Sequence, residues 1–60
     1  MNQEKCHQIL WNHFDYEFDG NKDDMIDAYE WYPQDIMDED ADKDSVEWAC
    51  WVWHHNLFEM

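Results

Sequence analysis

The chain has 60 residues, which allows at most one domain and lies near the lower limit at which a hydrophobic core alone can hold a fold together. Sixteen acidic residues against three lysines give a formal net charge of -13, so nucleic acid, anionic membrane and other polyanions are poor partners. Metal ions and basic proteins or peptides remain as partners, and the five Trp, three Tyr and three Phe favour a compact fold over a disordered acidic tail.

The sequence shows neither an apolar run long enough to span a bilayer nor the layout of a signal peptide, so we expect a soluble protein. Cys6 and Cys50 lie near opposite ends of the chain. They could close a long loop in an oxidising compartment or remain as buried free thiols, and two cysteines alone do not decide between these alternatives.

The first predicted element is an amphipathic helix from Glu4 to Phe18, which ends at Gly20 or just before it. Its apolar residues recur at every fourth position, and no glycine or proline interrupts them. The residues of this stripe are Cys6, Leu10, Phe14 and Phe18.

The next segment, from Asp19 to Glu30, is predicted to be an acidic loop that binds a divalent cation. A calcium ion takes six to eight oxygen ligands, and a twelve-residue loop supplies them from positions 1, 3, 5, 7, 9 and 12. This segment offers an oxygen at each of those positions, with Met25 contributing its carbonyl and Glu30 two carboxylate oxygens. The candidate ligands are Asp19, Asn21, Asp23, Met25, Asp27 and Glu30.

The pattern resembles the loop of the EF-hand calcium-binding family. The resemblance extends to Phe18, Ile26 and Trp31, at positions where the family packs its two helices together, and it covers roughly residues 11–32. It implies a helix-loop-helix unit with Ca²⁺ as the bound ion. Asp24 departs from the family, which has glycine there for a sharp turn, so we expect weakened binding. The alternative interpretation is a solvated acidic loop.

Pro33 limits the segment that leaves this loop. Proline lacks a backbone N–H and disfavours helical geometry at the residue before it, so the exiting helix is expected to have only a turn or two. Pro33 could instead open a short helix that runs through Met37.

A second acidic run from Asp38 to Asp44 precedes a long predicted helix from Val46 to Phe58. Asp44 and Glu47 fit a capping box at its start. The acidic side chains are also spaced like a shortened, degenerate cation loop, although Ser45 replaces the expected glycine. The second set of candidate metal ligands is Asp40, Asp42, Asp44 and Glu47. The alternative is that these acids only cap the final helix.

In a shortened pair of loops, Ile26 and Val46 could meet in a short antiparallel bridge. Within the last helix, one predicted apolar face consists of Val46, Ala49, Cys50, Trp53 and Leu57.

The sequence therefore predicts an all-α, single-domain, EF-hand-like protein over residues 1–60, with a shortened pair of loops between two long helices, the first loop near-complete and the second degenerate. The predicted function is calcium binding as a structural staple, sensor or buffer, and no catalytic arrangement is recognisable. One alternative is an acidic interaction protein that imitates nucleic acid or blocks a basic protein surface. Another is a small helical protein stabilised by zinc, with ligands from Cys50, His54, Cys6 and either His7 or His13.

Overall fold

The computed structural model describes residues 1–59 and contains three helices. They are α1 (Gln3–Glu17), α2 (Lys22–Ile36) and α3 (Val46–His55), and each of them packs against the other two. The predicted all-α fold class is confirmed. None of these helices is long and apolar enough to cross a membrane.

Helix α1 closely follows its predicted range. Its first turn is stabilised by Asn2, whose side-chain oxygen accepts a hydrogen bond from the backbone N–H of Lys5 at 2.7 Å. The apolar stripe at every fourth position faces inward, and Cys6, Leu10 and Phe14 are completely buried. Phe18 forms the C-terminal cap of the helix, so the periodicity located this element to within one residue.

Helix α2 contradicts the predicted conformation of the first acidic loop. Asp19 and Gly20 adopt the left-handed region at φ 52° and 73°, which reverses the chain after α1. The side chain of Asn21 then accepts a hydrogen bond from the backbone N–H of Asp24, and the helix begins. Negative charge in the first turn, from Asp23 and Asp24, is favourable at a helix N-terminus. The residues interpreted as loop ligands therefore also suit the start of a helix.

Pro33 neither stops nor starts a helix, because it lies buried within α2. It cannot donate a hydrogen bond to the carbonyl of Tyr29, which costs the helix one of its bonds. The helix still continues for another turn, and the carbonyl of Pro33 accepts a hydrogen bond from the N–H of Met37 at 3.0 Å. Both predicted roles of Pro33 were wrong because its burial against the core was not visible in the local sequence.

Helix α3 is shorter than predicted and begins with a different cap. The hydroxyl of Ser45 accepts a hydrogen bond from the N–H of Trp48, so Ser45 is the capping residue in place of Asp44. The helix ends at His55 because Asn56 adopts the left-handed conformation at φ 57°. Leu57 therefore leaves the predicted apolar face and is 51% exposed.

The core lies between the three helices. Its buried residues are Cys6, Leu10, Phe14, Met25, Ala28, Ala49, Cys50 and Val52. The ring of Phe14 meets Tyr29 and Tyr32 edge to face, with centroid distances of 5.0 and 5.1 Å. Contacts of this kind help to stabilise a small chain that has little other interior.

The predicted bridge between Ile26 and Val46 does not form, since Ile26 is helical and 60% exposed. The isolated β-bridge within residues 1–59 instead joins Asn2 and Glu59 in parallel.

Four rings form an aromatic stack beside the core, consisting of His7, Trp11, Tyr29 and Trp53. The imidazole of His7 lies 5.7 Å from the ring of Trp11 and 5.6 Å from that of Tyr29, measured between centroids. The hydroxyl of Tyr29 and Nδ1 of His7 share a hydrogen bond of 2.9 Å. The stack therefore joins α1, α2 and α3.

Candidate functional site

The first set of candidate metal ligands is spread along the start of α2. Asp19 lies in the preceding turn, Asn21 caps the helix, and Met25 is only 1% exposed within the core. Oδ2 of Asp27 accepts a hydrogen bond from Nε1 of Trp31 at 3.2 Å. A calcium loop must wrap around its ion, whereas residues 22–30 wind around a helix axis and direct successive side chains to different sides.

The second set of candidate ligands stabilises the turns before α3. Oδ1 of Asp38 accepts a hydrogen bond from the N–H of Asp40 at 2.9 Å, and the carbonyl of Asp42 accepts one from the Ser45 hydroxyl at 2.7 Å. Asp44 pairs with Lys5 at 3.2 Å. The carbonyl of Glu47 accepts a hydrogen bond from the N–H of Asp38, while its side chain is exposed.

Within residues 1–59, no group of three or more His, Cys, Asp or Glu side chains is arranged to hold a metal ion. Neither acidic segment brings its carboxylates together in this conformation. Calcium coordination by residues 19–30 would require the first turns of α2 to unwind.

The candidate zinc ligands also have other surroundings. Cys6 is buried and its Sγ donates a hydrogen bond to the carbonyl of Ala49 at 3.2 Å. Burial raises the pKa of Cys6 to about 11 and that of Cys50 to about 12, which disfavours the thiolates that zinc requires.

The candidate histidines are likewise occupied elsewhere. His7 lies in the aromatic stack, and Nε2 of His13 is 2.7 Å from the hydroxyl of Tyr32. His54 is exposed and packs edge to face against His55.

A different feature emerges on the solvent side of α2, and we call it the α2 acidic face. Asp23, Asp27 and Glu30 follow one another at helical spacings of four and three residues, so their carboxylates form a stripe along one side. Ile26, 60% exposed, and Trp31, 42% exposed, flank this stripe. This face was not predicted from the sequence, because these residues were expected to form a loop. The spacing of the three acids was the signal that could have found it.

The α2 acidic face lacks compensating positive charge. Among residues 1–59, the ion pairs are those of Lys5 with Asp44 and of the Met1 amino group with Glu59, together with an approach of His13 to Glu17. None of them involves Asp23, Asp27 or Glu30. The face therefore combines exposed apolar surface with carboxylates that form no ion pair within the described chain.

Comparison with known proteins adds no family to this description, since no family model, curated protein or solved structure matches the chain.

Proposed function

We propose that this chain is an acidic binding module that recognises a basic protein surface or peptide. The observation that supports this proposal is the α2 acidic face, on which three uncompensated carboxylates lie beside exposed Ile26 and Trp31. A partner that normally binds nucleic acid would present lysines and arginines to such a face, as it does to phosphates.

The physical basis is electrostatic attraction combined with apolar burial. Asp23 and Glu30 are seven residues apart, so the stripe extends over roughly 10 Å of helix. This length suits a partner with two or three cationic side chains in sequence. Exposed ion pairs contribute little individually, and burial of Ile26 and Trp31 would supply the remaining affinity.

Binding of a fluorescein-labelled peptide of alternating Lys and Leu, followed by anisotropy, tests the proposal. The triple variant Asp23→Asn, Asp27→Asn, Glu30→Gln keeps the shape of the face but removes its charge. We expect affinity to fall by about tenfold or more, since three weak ion pairs of roughly 0.5 kcal/mol or more each are lost.

The matched control is a triple variant on α1, Glu4→Gln, Asp15→Asn, Glu17→Gln, which changes the net charge equally at other exposed positions. Its affinity should change by less than about threefold, because distant charges are screened at physiological salt. Equal losses of affinity in the two triple variants would contradict binding at the α2 acidic face and would show that the net charge alone attracts the peptide.

Calcium binding by residues 19–30 is the second candidate function. It is favoured by the left-handed pair Asp19 and Gly20, which forms a turn next to the exposed side chains of Asn21 and Asp23. Glu30, one turn further along α2 than Asp27, is also exposed and would have to be drawn back to the ion. Calcium would gather these oxygens by unwinding the first turns of α2.

A calcium titration followed by circular dichroism and thermal unfolding separates the two functions. A ligand that binds only the folded state raises the melting temperature by mass action. Under the calcium function, millimolar calcium raises this temperature, chelator reverses the gain, and Glu30→Gln weakens binding far more than Asp35→Asn. Asp24→Gly should tighten binding because it restores the turn residue. An unchanged melting curve at millimolar calcium would exclude this candidate and leave the basic partner.

A further inference from the structure

A surface cavity of about 380 Å³ lies outside the α2 acidic face and has no lining residue from α2. It opens between the start of α1, the connection before α3 and the end of the described chain. Two of the three lysines line it, although the whole chain carries a net charge of -13. Its volume is in the range of small-molecule sites. The lining residues are Met1, Lys5, Lys43, Asp44, Trp48 and Glu59.

The cationic groups of this cavity are not equally neutralised. Nζ of Lys5 is 3.2 Å from Oδ1 of Asp44, and the Met1 amino nitrogen is 3.3 Å from Oε1 of Glu59. Nζ of Lys43 instead lies 3.4 Å from the ring centroid of Trp48 and has no carboxylate partner within residues 1–59. The indole holds this ammonium by a cation–π interaction, which leaves its N–H donors available.

We propose that this cavity binds a small organic monocarboxylate. Its carboxylate lies against the ammonium groups of Lys43 and Lys5, and its apolar part packs on Trp48. Hydrogen bonds between ammonium and carboxylate groups are stronger than neutral ones, and the indole provides an apolar wall.

The contacts that Trp48 and Asp44 already make with lysines determine which ligand charge the cavity favours. A cation would compete with Lys43 for Trp48 and with Lys5 for Asp44, so its sites are already filled. A dianion would be repelled more strongly by Asp44 and Glu59. A monoanion meets less of this repulsion, and carboxylates more than about 8 Å away are largely screened at physiological salt.

Sodium benzoate is the probe, added to the full chain at constant ionic strength and followed by NMR chemical shifts of backbone and indole N–H groups. We expect saturable shifts at Lys43, Asp44 and the indole of Trp48. Benzylamine should cause none, and inorganic phosphate should bind more weakly than benzoate. Absence of saturable shifts with benzoate, or equal binding of benzylamine, would overturn the proposal.

Lys43→Met removes the available ammonium and should weaken benzoate binding by about tenfold, the usual effect of losing one charge-assisted hydrogen bond. Lys22→Met is the matched control, because it removes the same charge from the one lysine outside the cavity. It should leave the affinity within about twofold, given the screening of distant charges. Lys43→Arg should retain binding, since arginine also stacks on indole and pairs with carboxylates.

Lys5→Met provides a second, independent loss of cationic charge in the cavity if Lys43→Met changes the helical circular dichroism. Equal weakening by the variants at Lys22 and Lys43 would show that net charge controls binding and would overturn the assignment to this cavity.

Discussion

The two cysteines show how burial controls chemistry at a single residue. Cys6 and Cys50 are both fully buried, and burial is the main reason why their pKa values rise from 9.0 to about 11 and about 12. Because the thiolate is the reactive form, we expect iodoacetamide at pH 8 to alkylate the folded chain at least about a hundredfold more slowly than the urea-unfolded chain. Mass spectrometry at timed intervals measures both rates, and equal rates would show that the thiols are accessible.

The same shifts predict how stability depends on pH. As pH rises through 9 the unfolded thiols lose their protons while the folded ones keep them, so the unfolded state binds fewer protons. The free energy of unfolding must therefore fall as pH rises through 9 toward 11, and the contribution of these thiols to the slope fades about one pH unit below 9. Urea unfolding at pH 8 and pH 10.5 checks this expectation. The variant Cys6→Ala, Cys50→Ala should show a smaller fall, and an equal fall would assign the effect to other groups.

At the scale of elements, the start of α2 depends on one capping side chain. Asn21→Ala removes the acceptor for the N–H of Asp24 and should lower the free energy of unfolding by about 1 kcal/mol. Asn21→Asp should preserve the cap. Asn12→Ala is the control, because Asn12 is exposed within α1, where alanine is the better helix former. Urea unfolding measures the free energy of unfolding of all three variants. An equal loss for Asn12→Ala and Asn21→Ala would contradict the capping role.

The elements also show what local sequence can and cannot predict. The four-residue stripe of α1 has one structural interpretation, and its range was predicted to within one residue. The polar run from Asp19 to Asp27 has two structural interpretations, because Asn and Asp serve equally as metal ligands and as residues of a helix N-terminus. Burial of Met25 and Ala28 against α1 and α3 favours the helix. Such packing depends on partners distant in sequence, so periodicity within the segment could not reveal it.

For the whole molecule, composition suggests a class of partner but says nothing of the arrangement of a site. A net charge of -13 indicates a preference for cations whatever the fold. The uncompensated stripe on α2 follows from the helix that forms there, and the cluster around Lys43 arises where three distant parts of the chain meet. The spacing of Asp23, Asp27 and Glu30 indicates the stripe only once the segment is known to be helical, and the cluster around Lys43 could not be predicted before the elements were placed in space.

The same net charge makes the stability of the folded chain depend on salt. All acidic side chains are exposed, so the compact state concentrates charges that repel one another. Added salt screens this repulsion and lowers its energy in the folded state by roughly 1 kcal/mol. We therefore expect the melting temperature to rise by several degrees between 20 and 200 mM sodium chloride. Differential scanning calorimetry measures the change.

The triple variant Asp23→Asn, Asp27→Asn, Glu30→Gln, which removes the three charges of the α2 acidic face, provides the control for this prediction. It should melt at a higher temperature at low salt and respond less to added salt, because three of the repelling charges are gone. An identical salt response would show that repulsion among these side chains does not limit stability.

The aromatic stack gives this small molecule an optical signature. Chromophores from α1, α2 and α3 are held in fixed, chiral contact, with the rings of Tyr29 and Trp53 4.8 Å apart between centroids. Electronic transitions of rings at such distances couple, so the folded chain should show intense near-ultraviolet circular dichroism. The ring of Trp51 instead lies tilted against that of His55, outside the aromatic stack, so Trp53→Phe should remove much more of this signal than Trp51→Phe. Near-ultraviolet circular dichroism can thus follow the tertiary contacts among the helices independently of helix content.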